Sequence, residues 1–150
     1  MASIQNLVVD SSVFLSSFLD EDTNNALSRR FFDSVKQKNI HIFIPILAVF
    51  EILHSYYKKG FSRKQTDMLY KTIIDWNIDD GLHFVNLEAS FLAHFTANHH
   101  LFQLKTSDTV FAILAHKLKY PLISWDKQIL NIQKKYAKTL TPDEFLFLNL

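Results

Sequence analysis

A chain of 150 residues with 48% hydrophobic residues, 14% aromatics and only 2 glycines has the length of one domain and enough apolar side chain for a core. That composition excludes a disordered or collagen-like chain. A formal net charge of +1 excludes the broad electrostatic wrapping of duplex nucleic acid that strongly basic proteins use, and the absence of cysteine excludes disulfides, thiolate metal sites and thiol nucleophiles.

The chain opens with Ile4 to Val9, an apolar, β-branched run short enough for a buried strand, ending at Asp10-Ser11-Ser12. A helix is expected from Val13 to about Leu19. The turn-prone stretch Asp20 to Asn25 follows, then an amphipathic helix from about Ala26 to Lys38 with Leu27, Phe31, Phe32 and Val35 on one face. His41 to Ile44 reads as a second strand. Pro45 stands at the start of the next helix, which carries Ile46 to Leu53 and ends near Gly60. Another helix, about Ser62 to Trp76, has Ser62 as its cap and closes before Asp79-Asp80-Gly81. Leu82 to Val85 is a third strand and Leu87 to Leu101 a helix. Val110, Phe111, Leu114, Ala115 and Leu118 recur at helical spacing between Asp108 and Lys119, and Pro121 stops that helix. Pro121 to Ser124 is a short strand, Lys127 to Tyr136 a helix, and Thr141-Pro142-Asp143-Glu144 a capping box opening a last turn through Phe145.

Strands alternating with helices at these spacings predict an α/β domain with a mostly parallel sheet covered on both faces, one domain over residues 1–150. The longest apolar run, Ile42 to Phe50, contains Pro45 and is far shorter than the roughly 20 residues of a membrane span. MASIQNLVVD lacks a basic region followed by an apolar segment, so a cytoplasmic protein with no membrane association is expected.

Four acids stand out. Asp10 and Asp126 each follow a strand, where ligands bind in open α/β sheets, and Asp108 lies in the first turn of a helix. Each of these three could simply cap backbone N–H groups or answer the helix dipole. Glu51 could not. It lies inside an apolar helix, between Phe50 and Ile52, where a carboxylate is expensive to desolvate unless a donor such as His54 or a cation meets it, or unless it borders a cleft. Four acids without an arginine fork suit a hard divalent cation, Mg²⁺ or Mn²⁺.

The stretches LVVDSSVFLS, IPILAVFEIL, TSDTVFAILAHKLKYPLISWD and TPDEFL together resemble the PIN-domain ribonucleases, especially the VapC-type toxins of bacterial toxin–antitoxin pairs. The resemblance covers nearly the whole chain and implies a three-layer α/β/α fold and metal-dependent endonucleolytic cleavage of RNA. It implies Asp10, Glu51, Asp108 and Asp126 as the catalytic acids, with Asp10, Asp108 and Asp126 as metal ligands and Glu51 as a ligand or water-orienting group. Ser12 and Ser124 take supporting positions. Trp125 and Lys127 are the candidate RNA contacts, Trp125 by stacking on a base, with core packing as its alternative role. Where the family often has a further acid after Asp126, this chain has Gln128 and Asn131. An antitoxin partner and a homodimer are also implied, with the Phe-rich helices of residues 26 to 76 as the apolar surface.

Other readings rank lower. A phosphatase using Asp10 as nucleophile wants a second acid two positions on, where Ser12 stands, and His94, His99 and His100 lack the spacing of a zinc pair on one helix face. A PIN-like domain that binds RNA or protein without cutting is the alternative from another class, although binding alone has no use for four converging negative charges.

Overall fold

The computed structural model describes residues 4–148. Five strands form one sheet: β1 (Asn6–Val9), β2 (His41–Pro45), β3 (Leu82–Val85), β4 (Leu122–Ile123) and β5 (Thr139–Leu140). All four pairings are parallel, in the order β3-β2-β1-β4-β5. The chain builds outward from β1 to β3, then crosses back to lay β4 against the other side of β1. That reversal opens a crevice at the carboxyl ends of β1 and β4.

The helices are α1 (Ser11–Phe18), α2 (Asn25–Gln37), α3 (Ile46–Lys58), α4 (Arg63–Ile78), α5 (Ala89–Asn98), α6 (Thr106–Leu118), α7 (Lys127–Leu130) and α8 (Pro142–Leu148). Right-handed crossovers from β1 through β3 put α1 to α4 on one face of the sheet, and the return crossover puts α5 and α6 on the other. The contacts agree: α1 packs on α2 and α3, α2 on α8, α3 on α4, while α5 packs on α6 and α6 lies along β1, β2 and β4. The result is a three-layer α/β/α sandwich, as expected.

Its core follows from strands buried on both faces. Leu7, Val8, Val9, Ile42, Ile44, Leu82, Leu122 and Ile123 are buried, sealed by Phe14 and Phe31 on one side and by Phe111, Ile113 and Leu114 on the other. Phe31 meets Phe145 edge-on, with ring centroids 5.1 Å apart, which docks the last helix onto α2. Gly81 is required by crowding, since a Cβ there would stand 2.2 Å from Trp76 Nε1. Among the described residues, no helix is long and apolar enough to cross a membrane.

Several boundaries differ from expectation. The helix after Asp126 ends at Leu130 instead of Tyr136. Ile132 and Tyr136 close hydrogen-bonded turns onto Ile129 and Gln133, because the chain must turn back to align Thr139 and Leu140 with β4. That two-residue β5 went unforeseen, being too short to alternate. Helix α5 starts at Ala89 and gives way at His99–Leu101 to a 3₁₀ turn, where Asn98-His99-His100 offers weak helix formers. Pro45 closes β2 and caps α3 with extended backbone instead of sitting inside the helix. The Ser62 capping box is present with Gln65 as its reciprocal partner, and the helix it opens runs on to Ile78. The Thr141–Glu144 box is also formed, and it opens two turns, not one.

Candidate active site

Asp10 leaves the carboxyl end of β1 with extended backbone, φ −69° and ψ 150°, and is only 4% exposed. It stands at the N-cap position of α1 but makes no side-chain cap hydrogen bond. Its Oδ2 accepts instead from Ser12 Oγ at 2.6 Å and from Ser124 Oγ at 2.9 Å, while Oδ1 receives a long 3.4 Å contact from Ser11 Oγ. Ser124, fully buried, also accepts from the backbone N–H of Asp126 at 2.9 Å, and Ser12 accepts from the N–H of Trp125 at 3.2 Å. Ser12 and Ser124 thus tie the ends of β1 and β4 together.

Glu51 reaches the same pole from the second turn of α3. Its partner is Ser11 Oγ, 3.0 Å from Oε2, and not His54, which is exposed. Ser11 was not among the expected site residues, although its place beside Asp10 was the available signal. Asp126 does cap a helix, with Oδ1 accepting from the Gln128 N–H at 2.7 Å. Asp108, in the first turn of α6, is half-buried and, among the described residues, makes no hydrogen bond through its side chain. Among the described residues, none of the four acids forms a salt bridge.

Asp10 feels the charge of Asp126, and Asp108 that of the other three acids. Burial pushes the Asp10 carboxyl above its usual range, opposed by the hydrogen bonds from Ser12 and Ser124 and reinforced by Asp126. Asp108 is raised to about 6, first by burial and then by Asp10 and Asp126, with Glu51 adding to them and Lys105 working the other way. Among the described residues, no donor meets either oxygen of Asp108, Oε1 of Glu51 or Oδ2 of Asp126, whereas the Asp10 carboxyl is also met by the backbone of Ser12. The donor chemistry, hard carboxylate oxygens, suits Mg²⁺ or Mn²⁺, but among the described residues no three of these acids bring ligand oxygens within 4.8 Å of one another.

Trp125 is half-buried against the core, and its indole N–H donates to Ser28 Oγ at 2.8 Å. Ser28 is itself bonded to Ser16. The ring is therefore tied through its N–H to α2. Lys127, exposed, begins α7 next to Asp126.

The comparisons bear on the family and the fold. The family model for the PIN domain matches residues 7–135. No curated protein sequence matches the chain. A toxin–antitoxin complex from Klebsiella pneumoniae contains a chain that is 14% identical, with a TM-score of 0.62 over 91% of this chain and 97% of that one. FitAcB from Neisseria gonorrhoeae is 12% identical, with a TM-score of 0.65 over 91% and 97%. VapC20 of Mycobacterium tuberculosis, described as a Sarcin-Ricin loop cleaving toxin, is 12% identical, with a TM-score of 0.63 over 82% and 92%.

Proposed function

The chain belongs to the PIN domain family, and from that premise we propose that it is a metal-dependent endoribonuclease of the VapC toxin type. One observation carries the reading: Asp10, Glu51, Asp108 and Asp126, from four different elements, face one pole of the sheet closely enough for Asp108 to be raised to about 6 by burial and by the other three. A carboxyl raised by burial and like-charged neighbours beside a crevice is a mark of functional positions.

Asp10, Asp108 and Asp126 would hold Mg²⁺ or Mn²⁺. Such a cation, when bound, supplies charge to stabilise a phosphodiester under attack and makes a bound water more acidic. The chain's own residues do the rest. Ser12 and Ser124 fix the Asp10 carboxylate by its Oδ2. Ser11 holds Glu51 by Oε2, which leaves Oε1 to accept a proton from the attacking water and aim it in line with the leaving oxygen. Lys127, exposed beside Asp126, would meet a phosphate of the RNA. Trp125 acts through packing, holding the β4 end in place by its bond to Ser28.

Partners follow the same reading. Solved relatives of this fold occur in toxin–antitoxin complexes, and we assign this chain an antitoxin whose contacts silence the acidic crevice, together with a homodimer. Phe50, Tyr57, Met68 and Tyr70 on α3 and α4 are exposed apolar surface for such contacts, whereas Phe31 and Phe32, in the same stretch, are spent on the core.

The test is cleavage of a mixed RNA pool by purified protein with Mg²⁺ or Mn²⁺, with EDTA and with Asp10→Asn. Cleavage that needs the cation and is lost in a folded Asp10→Asn variant is the expected result. Full activity in EDTA or in the variant refutes the mechanism, and inactive wild-type protein that still binds RNA points to the non-catalytic alternative.

A further inference from the structure

A second constellation lies at the opposite pole. His41 opens β2, and His83 is paired in register with Phe43 one step along, so that period-two alternation places His41, Phe43 and His83 on one face. Asp80, at φ 62°, ends the turn that leads from α4 into β3. His41 Nδ1 lies 3.1 Å from His83 Nε2 and 2.9 Å from the Asp80 carbonyl oxygen, and His83 Nδ1 lies 3.8 Å from Asp80 Oδ1. One ligand atom from each of the three residues falls within 4.8 Å of the other two.

We propose that His41, Asp80 and His83 form a binding site for a borderline divalent cation, Zn²⁺ by preference, separate from the acidic crevice. The hydrogen-bond accounting points that way. The Asp80 carbonyl can only accept, so His41 Nδ1 must carry a proton to satisfy it, and the same proton must also serve His83 Nε2. If His83 donates instead, two lone pairs face each other at 2.9 Å. A cation removes the conflict, because both imidazole nitrogens and the oxygens of Asp80 then act as electron-pair donors. Tetrahedral ligation at about 2.0–2.1 Å sets neighbouring ligand atoms roughly 3.3–3.4 Å apart, close to the 3.1 Å between the two ring nitrogens.

The surroundings are built to hold the rings. His83 stacks on Phe43 with centroids 4.6 Å apart and planes 19° from parallel. Asp75, Asp79 and Lys36 line the same cleft as His41 and Asp80, leaving it open to solvent for a remaining ligand. Two nitrogens and an oxygen suit Zn²⁺, Co²⁺ or Ni²⁺, whereas the oxygen-only crevice suits Mg²⁺ or Mn²⁺. Bound there, the ion clasps the edge strand β3 and its entry turn to β2, and stabilises the folded chain by mass action.

The experiment is titration of the full, tag-free chain with Zn²⁺ alone, read by calorimetry and thermal denaturation, and with Co²⁺, read by visible absorption. Asp10→Asn removes the contribution of the acidic pole. His41→Gln and Asp80→Asn test the site, Asn being well tolerated at positive φ. The expected result is one Zn²⁺ bound in wild type and in Asp10→Asn, a saturable Co²⁺ band, and affinity at least about tenfold weaker in the two site variants. Proton resonances of the His41 and His83 rings should broaden first in the Co²⁺ titration of wild type, which needs no variant to fold. Absence of saturable binding in wild type overturns the proposal, as does equal affinity in His41→Gln and Asp80→Asn, or loss of the Zn²⁺ signal in Asp10→Asn alone.

Discussion

Replacing Asp108 by Asn should stabilise the metal-free protein at neutral pH while abolishing cleavage. The folded chain holds this proton more tightly than the unfolded one, at about 6 against 3.8, so protonation favours folding. The penalty is absent below about pH 3.8, grows between there and 6, and is complete above it. A carboxyl held that high corresponds to at most about 3 kcal/mol against folding, and screening by solvent at a half-buried position reduces this to about 1–2 kcal/mol. For a domain of this size the gain is about 2–8 °C in Tm. Thermal denaturation of wild type and Asp108→Asn in EDTA at pH 7.5 and pH 4 measures it: the variant should be the more stable at 7.5, and the difference should close at 4. Mg²⁺ or Mn²⁺ should narrow the gap at 7.5 by stabilising wild type. A variant equally or less stable at pH 7.5, or a difference independent of pH, would show that the acids do not share a field.

Ser124→Ala deprives Asp10 and the Asp126 N–H of a buried partner, and should cost about 1–3 kcal/mol in denaturant unfolding. With that hydrogen bond gone the Asp10 proton is held still more tightly, so the acid limb of the cleavage profile should move to higher pH. Trp125→Phe should lose about 1 kcal/mol with the Ser28 hydrogen bond and keep RNA affinity and cleavage; reduced affinity in a folded Trp125→Ala protein whose packing is otherwise intact would restore the stacking role. Glu144→Ala opens the last capping box and should cost about 0.5–2 kcal/mol in chemical unfolding, without changing cleavage by the remote acids.

The long elements were legible because burial on both faces leaves an unmistakable signature. Leu7-Val8-Val9, Ile42 to Ile44, and the Val110 to Leu118 stripe have little choice of structure. Asp10 and Asp126 were legible for a related reason: a polar residue directly after a buried strand must surface at its carboxyl end. Glu51 was found as a charge that its own helix could not explain, but its partner was not, since Ser11 lies 40 residues away in sequence and across two elements. The strand β5 was hidden because two residues carry no period, and its pairing with β4 depends on the turns after Leu130. His41, Asp80 and His83 escaped notice because their meeting depends on the β2–β3 register, which no local pattern specifies.

The hydroxyls beneath Asp10 each have an N–H pointing at them, from Trp125 in one case and Asp126 in the other. With one lone pair of each oxygen already taken, neither hydroxyl rotor is free to spin, and both hydrogens are steered toward the same carboxylate oxygen. Polarity at the floor of the crevice is therefore set by the backbone of the β4 exit. Any change that shifts that exit by a peptide unit would turn the two hydrogens elsewhere and silence Asp10 without touching a single acid.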